Sequence, residues 1–397
     1  MAKSSNGNGS KKPQASFEDA VSLLSKAQDD FKEGDFDGAI DHFKTILTIN
    51  KDYPPAHYGL GLAYMEKGQI KDSIRELKKT IELEPGSIEP RISLALVYLS
   101  EQKIKEAEKS LKEVLKLNPE NVEARLFLAD AFAVGEKYEE ATKEYKAVIV
   151  IDPENAEAHF KLGSMLVLQH DEVKGIKEIK KSLEILPENA AAHGVLGSLY
   201  YMQGDLDNAQ KEYLASVILA PENPEHHYGL GLILMEKGET KEAILEIQES
   251  LKLNPANTDG YFTVAKIFFE MGHDNEAIEA LEEGLEINPG HAGAHYNMGL
   301  GYNVLGNKKE AVKEFLEALK IEPEDIDTRY ELANTYIDLE LDDLAKKELK
   351  AILKLDPMNF DAKGTLELLE QKEKKPKAKT AKPKPKAKKS TGKKNKK

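Results

Sequence analysis

The stretch HYGLGLAYMEKG, residues 57–68, returns almost unchanged as HYGLGLILMEKG, residues 227–238. A glycine-rich run can cradle a phosphate. Here the third glycine of a dinucleotide-binding loop is missing from the required place, and no strand pattern precedes the run. The spacing supplies a different reading, because the copies lie 170 residues apart, five times 34.

Proline confirms the period. Pro85, Pro119, Pro153, Pro187, Pro221, Pro255, Pro289, Pro323 and Pro357 follow one another at intervals of 34, with Lys51 in the same register one step earlier. With this proline at position 32, ten units of 34 tile residues 20–359 without insertion. Position 8 is always Gly or Ala, position 20 always small (Ala, Ser or Gly), position 24 always large and apolar, and position 11 mostly aromatic. Apolar residues within a unit recur at helical spacing, as in Leu60 and Tyr64, then Ile74, Leu77 and Ile81. A glycine near position 15 breaks many units, and the proline stops the second helix. Each unit is therefore expected to be two antiparallel helices joined by a tight turn, with small residues at positions 8 and 20 letting the backbones approach. Glycine inside a helix costs about 0.5–1 kcal/mol relative to alanine. Its use at position 8 in five units implies contact too close for a methyl group there. One unit cannot bury its apolar face alone, so stability must come from stacking.

These residues give the chain its likeness. Large residue, Leu, Gly/Ala and aromatic, followed by Ala, a large apolar residue and Pro, resembles the tetratricopeptide repeat, over about 340 of the 397 residues. The resemblance implies an all-α, right-handed superhelical solenoid. Position 4, usually tryptophan in that family, is here His, Arg, Leu or Tyr, and the first unit departs most, as suits a capping repeat. Gln102, His170 and Glu340 replace the turn glycine in three units. After residue 359, FDAKGTLELLEQKEKK reads as one more amphipathic helix, with Leu366 and Leu369 covering the last repeat. The expected organisation is a disordered polar leader over 1–16, a solenoid over 17–371 (ten repeats over 20–359 and a capping helix over 360–371), and a disordered lysine-rich tail over 372–397.

Composition bounds the function. The chain has no cysteine, which removes disulfides, thiolate metal sites and thiol nucleophiles. The leader lacks an apolar run of signal-peptide length, and no stretch approaches the roughly 18 apolar residues of a membrane span. A soluble, cytoplasmic protein is the expectation. There is no HExxH, and TGKK at Thr391 lies in the lysine tail, outside any strand–loop–helix context. His57, His159, His193, His227 and His295 all occupy position 4. Equivalent positions in neighbouring repeats are separated by helix packing of about 8–10 Å per contact, too far to share an ion. They are read as structural, and no metal, cofactor or enzymatic activity is expected.

The resemblance also implies that the first helices line a concave face, with positions 2, 5, 6, 9, 12 and 13 open to ligands. The residues it offers for a protein or peptide partner are Tyr58, Leu62, Met65, Phe160, Tyr228, Leu232, Met235, Phe262, Tyr296, Asn297, Tyr330 and Asn334, edged by Glu89, Glu123, Glu157, Glu225, Asp259 and Asp327. The competing reading is that many of these side chains pack only against the next repeat. Two family modes do not fit. The carboxylate clamp needs a lysine at position 5, where the first unit has Leu24, and the backbone-gripping asparagine ladder at position 6 is reduced to Asn297.

The net charge of −14 hides a split. Residues 372–397 hold 14 lysines and one glutamate, leaving 42 basic and 69 acidic residues elsewhere, so the tail carries +13 and the remainder −27. Lys374, Lys375, Lys377, Lys379, Lys382, Lys384, Lys386, Lys388 and Lys389 lie among Pro, Ala and Thr, a composition that cannot bury a core. Lysine without arginine or aromatics suits phosphate neutralisation better than base reading. Nucleic acid or another polyanion, an anionic membrane or partner, and the acidic repeats of the same or a neighbouring chain all compete for the tail. The function expected first is a non-enzymatic scaffold binding extended segments or partner proteins. A polyanion-associated adaptor and a self-assembling homo-oligomeric array stand as alternatives.

Overall fold

The computed structural model describes residues 17–374. The leader over 1–16 and the tail lysines from Lys375 onward lie outside the described residues. The chain divides into two compact bodies, Met1–Pro221 and Glu222–Lys397. The first holds α1 (Phe17–Glu33), α2 (Phe36–Ile49), α3 (Pro54–Glu66), α4 (Ile70–Leu83), α5 (Glu89–Ser100), α6 (Ile104–Leu117), α7 (Val122–Val134), α8 (Tyr138–Ile151), α9 (Ala156–Leu168), α10 (Glu172–Ile185), α11 (Ala190–Met202) and α12 (Leu206–Leu219). The second holds α13 (Pro224–Glu236), α14 (Thr240–Leu253), α15 (Thr258–Glu270), α16 (Asp274–Ile287), α17 (Ala292–Val304), α18 (Lys308–Ile321), α19 (Ile326–Asp338), α20 (Asp342–Leu355) and α21 (Phe360–Lys374). In each body every helix packs on the next in sequence, so both are all-α stretches of solenoid built from antiparallel pairs.

The local chemistry of one unit explains the repeat. The first helix usually starts at an Asn or Asp in position 34 of the preceding unit, whose side chain accepts from a first-turn backbone N–H, as Asn121 does from Ala124 (2.7 Å) and Asn155 from Ala158 (2.9 Å). It ends in a left-handed residue at position 15. Six units place glycine there, from Gly34 (φ 84°) to Gly306 (φ 81°), and Gln102, Glu136, His170 and Glu340 adopt φ of 57–63° in the other four. The turn is thus the same in all ten units, with or without glycine.

Positions 8 and 20 sit where the helices of a pair touch. Ala27, Ala95, Ala129, Ala39, Ala107 and Ala141 are fully buried. In the fifth unit both are glycine. A Cβ built on Gly163 would lie 2.8 Å from the Gly175 carbonyl oxygen, and one on Gly175 would lie 2.9 Å from the Gly163 carbonyl oxygen. Large residues such as Leu77, Leu111, Tyr145, Phe315 and Leu349 fill position 24 beside them and are buried.

The position 4 histidines are clips between units. His57 Nδ1 bonds Glu76 (2.6 Å) and its Nε2 the carbonyl of Lys51 (2.9 Å). His159 pairs in the same way with Glu178 (2.7 Å) and the Pro153 carbonyl (3.2 Å), His193 with Glu212 (2.6 Å) and Pro187 (3.0 Å), and His295 with Glu314 (2.7 Å) and Pro289 (3.3 Å). His227 meets Glu246 at 2.7 Å. Arg125 and Arg329 substitute for histidine, reaching Glu144 and Glu348 (2.5 Å each) and the carbonyls of Pro119 and Pro323. One side chain thus ties the first helix to the second helix of its own unit and to the proline loop of the unit before.

The last described helix, α21, lies against α20. Leu369 is buried there, Leu366 is partly buried, and Glu367 is exposed.

Candidate functional site

The first helices place the expected groove residues at the surface in a graded way. Tyr58, Leu62, Met65, Phe160, Tyr228, Leu232, Met235, Phe262, Tyr296, Tyr330 and Asn334 are half-buried, and Asn297 is exposed. The position 2 carboxylates, Glu89, Glu123, Glu157, Glu225, Asp259 and Asp327, are all exposed. Three of the tyrosines also serve the stack. Their hydroxyls meet a side-chain hydroxyl at position 6 of the next unit, Tyr58 with Ser93 (3.2 Å) and Tyr228 with Thr263 (3.2 Å), or at the equivalent place in α21, Tyr330 with Thr365 (3.4 Å). Their rings therefore bridge neighbouring repeats while keeping one side open.

Three cavities bring part of the set together. In the first body, a cavity of about 380 Å³ is lined by Phe31, Phe43, Tyr58, Gly59 and Leu62, with Gln28, Lys32 and Pro55. Its floor is the Phe43 ring, which comes so near Gly59 that a Cβ there would lie 2.2 Å from Cζ. In the second body, a cavity of about 310 Å³ opens between α15, α16 and α17, lined by Phe262, Phe269, Leu281, Asn297, Leu300 and Val304, with Lys266, Glu270 and Asp274 among its polar residues. A smaller one, about 230 Å³, joins Tyr296 to Glu322, Asp325 and Asp327. Met65, Phe160, Tyr228, Leu232, Met235, Tyr330 and Asn334 do not line these three.

Glycines shape the second-body apolar cavity. Gly284 stands at position 27 of the eighth unit, where most units carry Ile, Val, Ser or Thr, and a Cβ there would lie 2.7 Å from the Phe262 ring. Gly301 holds position 10 of the ninth unit, and its Cβ would lie 2.7 Å from the Phe269 ring. The His291 ring flanks Phe262 at 4.2 Å between centroids. Two aromatic rings are thus seated sideways, leaving space between them. The sequence signal was available: glycine at two positions where the other units are bulkier.

The first-helix faces of the first body are not apolar throughout. Asp130, at position 9 of the fourth unit where leucine is common, accepts from Tyr145 (2.5 Å) and from Lys161 (2.7 and 2.9 Å), and Lys161 also meets Glu157 (2.8 Å). Burial pulls the Lys161 ammonium down, but Asp130 and Glu157 outweigh it and raise it above the usual lysine range. Burial and the Asp130 carboxylate push the Tyr145 phenol well up. The second body reverses the sign. At position 6 of the tenth unit stands Glu331, whose carboxyl is pushed up by burial and by the charge of Asp327.

Among the described residues, no group of three or more His, Cys, Asp or Glu side chains could hold a metal ion, and no helix is long and apolar enough to cross a membrane.

Comparison with known proteins places this architecture. No curated protein matches the chain. Solved structures similar to it include MamA (25% identity over 42% of this chain and 96% of that one, TM-score 0.39) and PilF of Pseudomonas aeruginosa (18%, 55% and 97%, TM-score 0.46). Another is YrrB, described as a TPR protein with an unusual peptide-binding site (20%, 46% and 95%, TM-score 0.39). Family models described as tetratricopeptide repeat match residues 30–96, then 92–156, 176–224 and 195–258, then 258–291, 292–325 and 326–359. With the 34-residue helix pairs in hand, these matches fix the assignment: the chain belongs to the tetratricopeptide repeat family.

Proposed function

We propose that the protein is a non-enzymatic interaction scaffold whose first-helix faces take extended segments of partner proteins. The observation that carries this reading is the pair of open apolar cavities on those faces, one floored by Phe43 beside Tyr58 and Leu62, the other walled by Phe262 and Phe269. Each is sized for apolar side chains and carries a few polar groups to fix orientation, the usual composition of a binding pocket. The exposed position 2 carboxylates favour partners with basic residues beside the anchors.

The test is selection of a random 12-residue peptide library on the immobilised full-length protein, followed by binding isotherms for the enriched peptides. Phe269→Ala removes one wall of the second-body cavity. Peptides that carry a large apolar residue and lose about tenfold or more in affinity on this change, about 1.4 kcal/mol, support the reading, provided circular dichroism shows the variant folded. No enrichment, or peptides indifferent to both Phe269→Ala and Leu62→Ala, would overturn it.

A further inference from the structure

The outer side of α18 mixes two kinds of side chain in one stripe. Lys309, Val312, Lys313, Leu316 and Lys320 stand at i, i+3, i+4, i+7 and i+11, so they share one side of the helix. They border a cavity of about 490 Å³ between α18, α19 and α20. Val312, Leu316 and Leu319 give it an apolar lining, and Lys309, Lys313, Lys320 and Arg329 line it as well. None of these residues stands at first-helix position 2, 5, 6, 9, 12 or 13, so this face is separate from the one that carries the Phe262 and Phe269 cavity. The carboxylates beside it are already committed: Glu317 accepts from Lys320 (2.6 Å) and Glu348 from Arg329 (2.5 Å). Among the described residues Lys309 enters no ion pair. Lys313 reaches only Glu314 (3.5 Å), which also holds His295 (2.7 Å).

Two features set this place apart from its counterparts in the first body. Position 25 of the second and third units is Lys78 and Lys112, whose ammonium groups stand over the position 11 rings of the next units, Tyr98 (5.9 Å) and Phe132 (5.1 Å). The ninth unit has Leu316 there instead, an aliphatic side chain 41% exposed beside the cavity. The second feature is the arginine clip. In the fourth unit Arg125 spends every donor group, its Nε donating to the Pro119 carbonyl (3.0 Å). The buried Nε of Arg329 has no acceptor. The cavity thus combines an open apolar patch, two lysines with charge to spare and a guanidinium with a donor unused.

We propose that this cavity takes an acidic segment of a partner protein, seating one large apolar side chain on Val312, Leu316 and Leu319 and setting carboxylates on either side of it against Lys309, Lys313 and Arg329. Charge complementarity selects the sign, and the apolar lining selects the anchor. Spacing selects a polypeptide. Lys309 and Lys320 lie 11 residues apart, about 16 Å along the helix, a length that an extended peptide covers with about five residues. The single head group of an anionic lipid meets only one end of such a stripe. A nucleic acid presents charge at every step of its backbone, against a lining that is apolar at its centre and carries Glu317 and Glu348. A peptide can place carboxylates opposite the lysines and an apolar residue between them. The first-helix cavities favour basic partners, so the two faces would recruit segments of opposite charge without competing. The inference concerns a different face and does not depend on what the first-helix cavities accept.

The test is fluorescence anisotropy of a labelled peptide, GDEELFEEDG, titrated with the full-length protein in about 0.1 M NaCl, where charges are screened beyond about 10 Å. Saturable binding is expected. It should weaken about tenfold or more in Lys309→Glu/Lys313→Glu, in Leu316→Ser, and when the central Leu-Phe pair of the peptide is exchanged for Ala-Ala. Lys309, Lys313 and Leu316 are exposed, so these variants should keep the helical circular dichroism of the native chain. Phe269→Ala should leave the binding unchanged. No saturable binding, or binding indifferent to both Lys309→Glu/Lys313→Glu and Leu316→Ser, overturns the proposal. Binding lost in Phe269→Ala but kept in those variants places the peptide on the first-helix face and also overturns it. Duplex DNA or phosphatidylserine vesicles that bind more tightly than the peptide, and lose their binding in the same variants, assign the cavity to another class of partner and overturn it too.

Discussion

Gly163→Ala tests the close helix approach on which each unit depends. In a solvent-exposed helix this substitution stabilises by about 0.5–1 kcal/mol, because alanine loses less backbone entropy. In α9 the new Cβ would lie 2.6 Å from Ile179 Cγ1, 2.8 Å from the Gly175 carbonyl oxygen and 3.1 Å from the Ile179 nitrogen. Two of these three neighbours are backbone of α10, so no rotamer change relieves the clash and the helices must separate by about half an ångström. Overpacking of this kind costs about 1–3 kcal/mol. Set against the propensity gain, the net expectation is a loss of about 1–2 kcal/mol. Gly364→Ala is the matched control, since a Cβ at that position meets nothing within 4 Å and α21 should gain about 0.5–1 kcal/mol. Stacked repeats can open piecemeal, so the assay is hydrogen exchange resolved by helix, supported by urea unfolding. Faster exchange in α9 and α10 for Gly163→Ala, with slower exchange in α21 for Gly364→Ala, is the expected pair. Unchanged or slower exchange in α9 and α10 would refute the reasoning.

Further substitutions probe the clips, turns and buried charges. Glu178→Ala leaves His159, 6% exposed, without its carboxylate partner, and should cost about 1–3 kcal/mol, visible as a lower thermal midpoint, with Glu178→Gln costing less. Gln102→Gly and His170→Gly relieve left-handed backbone at φ 57° and 63° and should each stabilise by about 1 kcal/mol in urea titrations. Burial would raise the Glu108 carboxyl, but the ammonium groups of Lys137 and Lys112 outweigh it and hold it below the ordinary range. A depressed carboxyl contributes stability that is present above its unfolded value, near pH 4.3, and is lost as pH falls through the folded value. Thermal midpoints of Glu108→Gln should therefore fall less than those of the native chain as acid is added below about pH 4.

The repeat was legible because its determinants are local and recur. Pro85 and its eight successors mark nine of the ten second-helix ends, and Leu77 or Phe315 at position 24 shows which face is buried. The turns were harder to read, since Gln102, Glu136, His170 and Glu340 carry no glycine. Their left-handed geometry is imposed by the helices on either side, with Lys103 N–H closing onto the Tyr98 carbonyl at 2.8 Å. Reading the position 4 histidines as structural needed only their spacing, but their partners 19 residues on and in the preceding proline loop emerge only when two helices and a loop converge. On the first-helix faces, residue type was legible but its consequence was not. Asp130 and Lys161 lie 31 residues apart and meet only because one unit stacks on the next. Gly284 and Gly301 matter for the space they leave to rings on other helices, which a one-dimensional pattern does not express.

The central claim, that the first-helix faces bind extended segments through apolar cavities, meets its most direct test in a footprint. Hydrogen exchange of the full-length protein with and without a library-selected peptide should show new protection in α15 and α17 around Phe262, Phe269 and Leu300, or in α1 and α3 around Phe31, Tyr58 and Leu62, and Phe269→Ala or Leu62→Ala should abolish it at the corresponding cavity. Protection confined to the second helices of the pairs, with both cavities unaffected, would contradict the account.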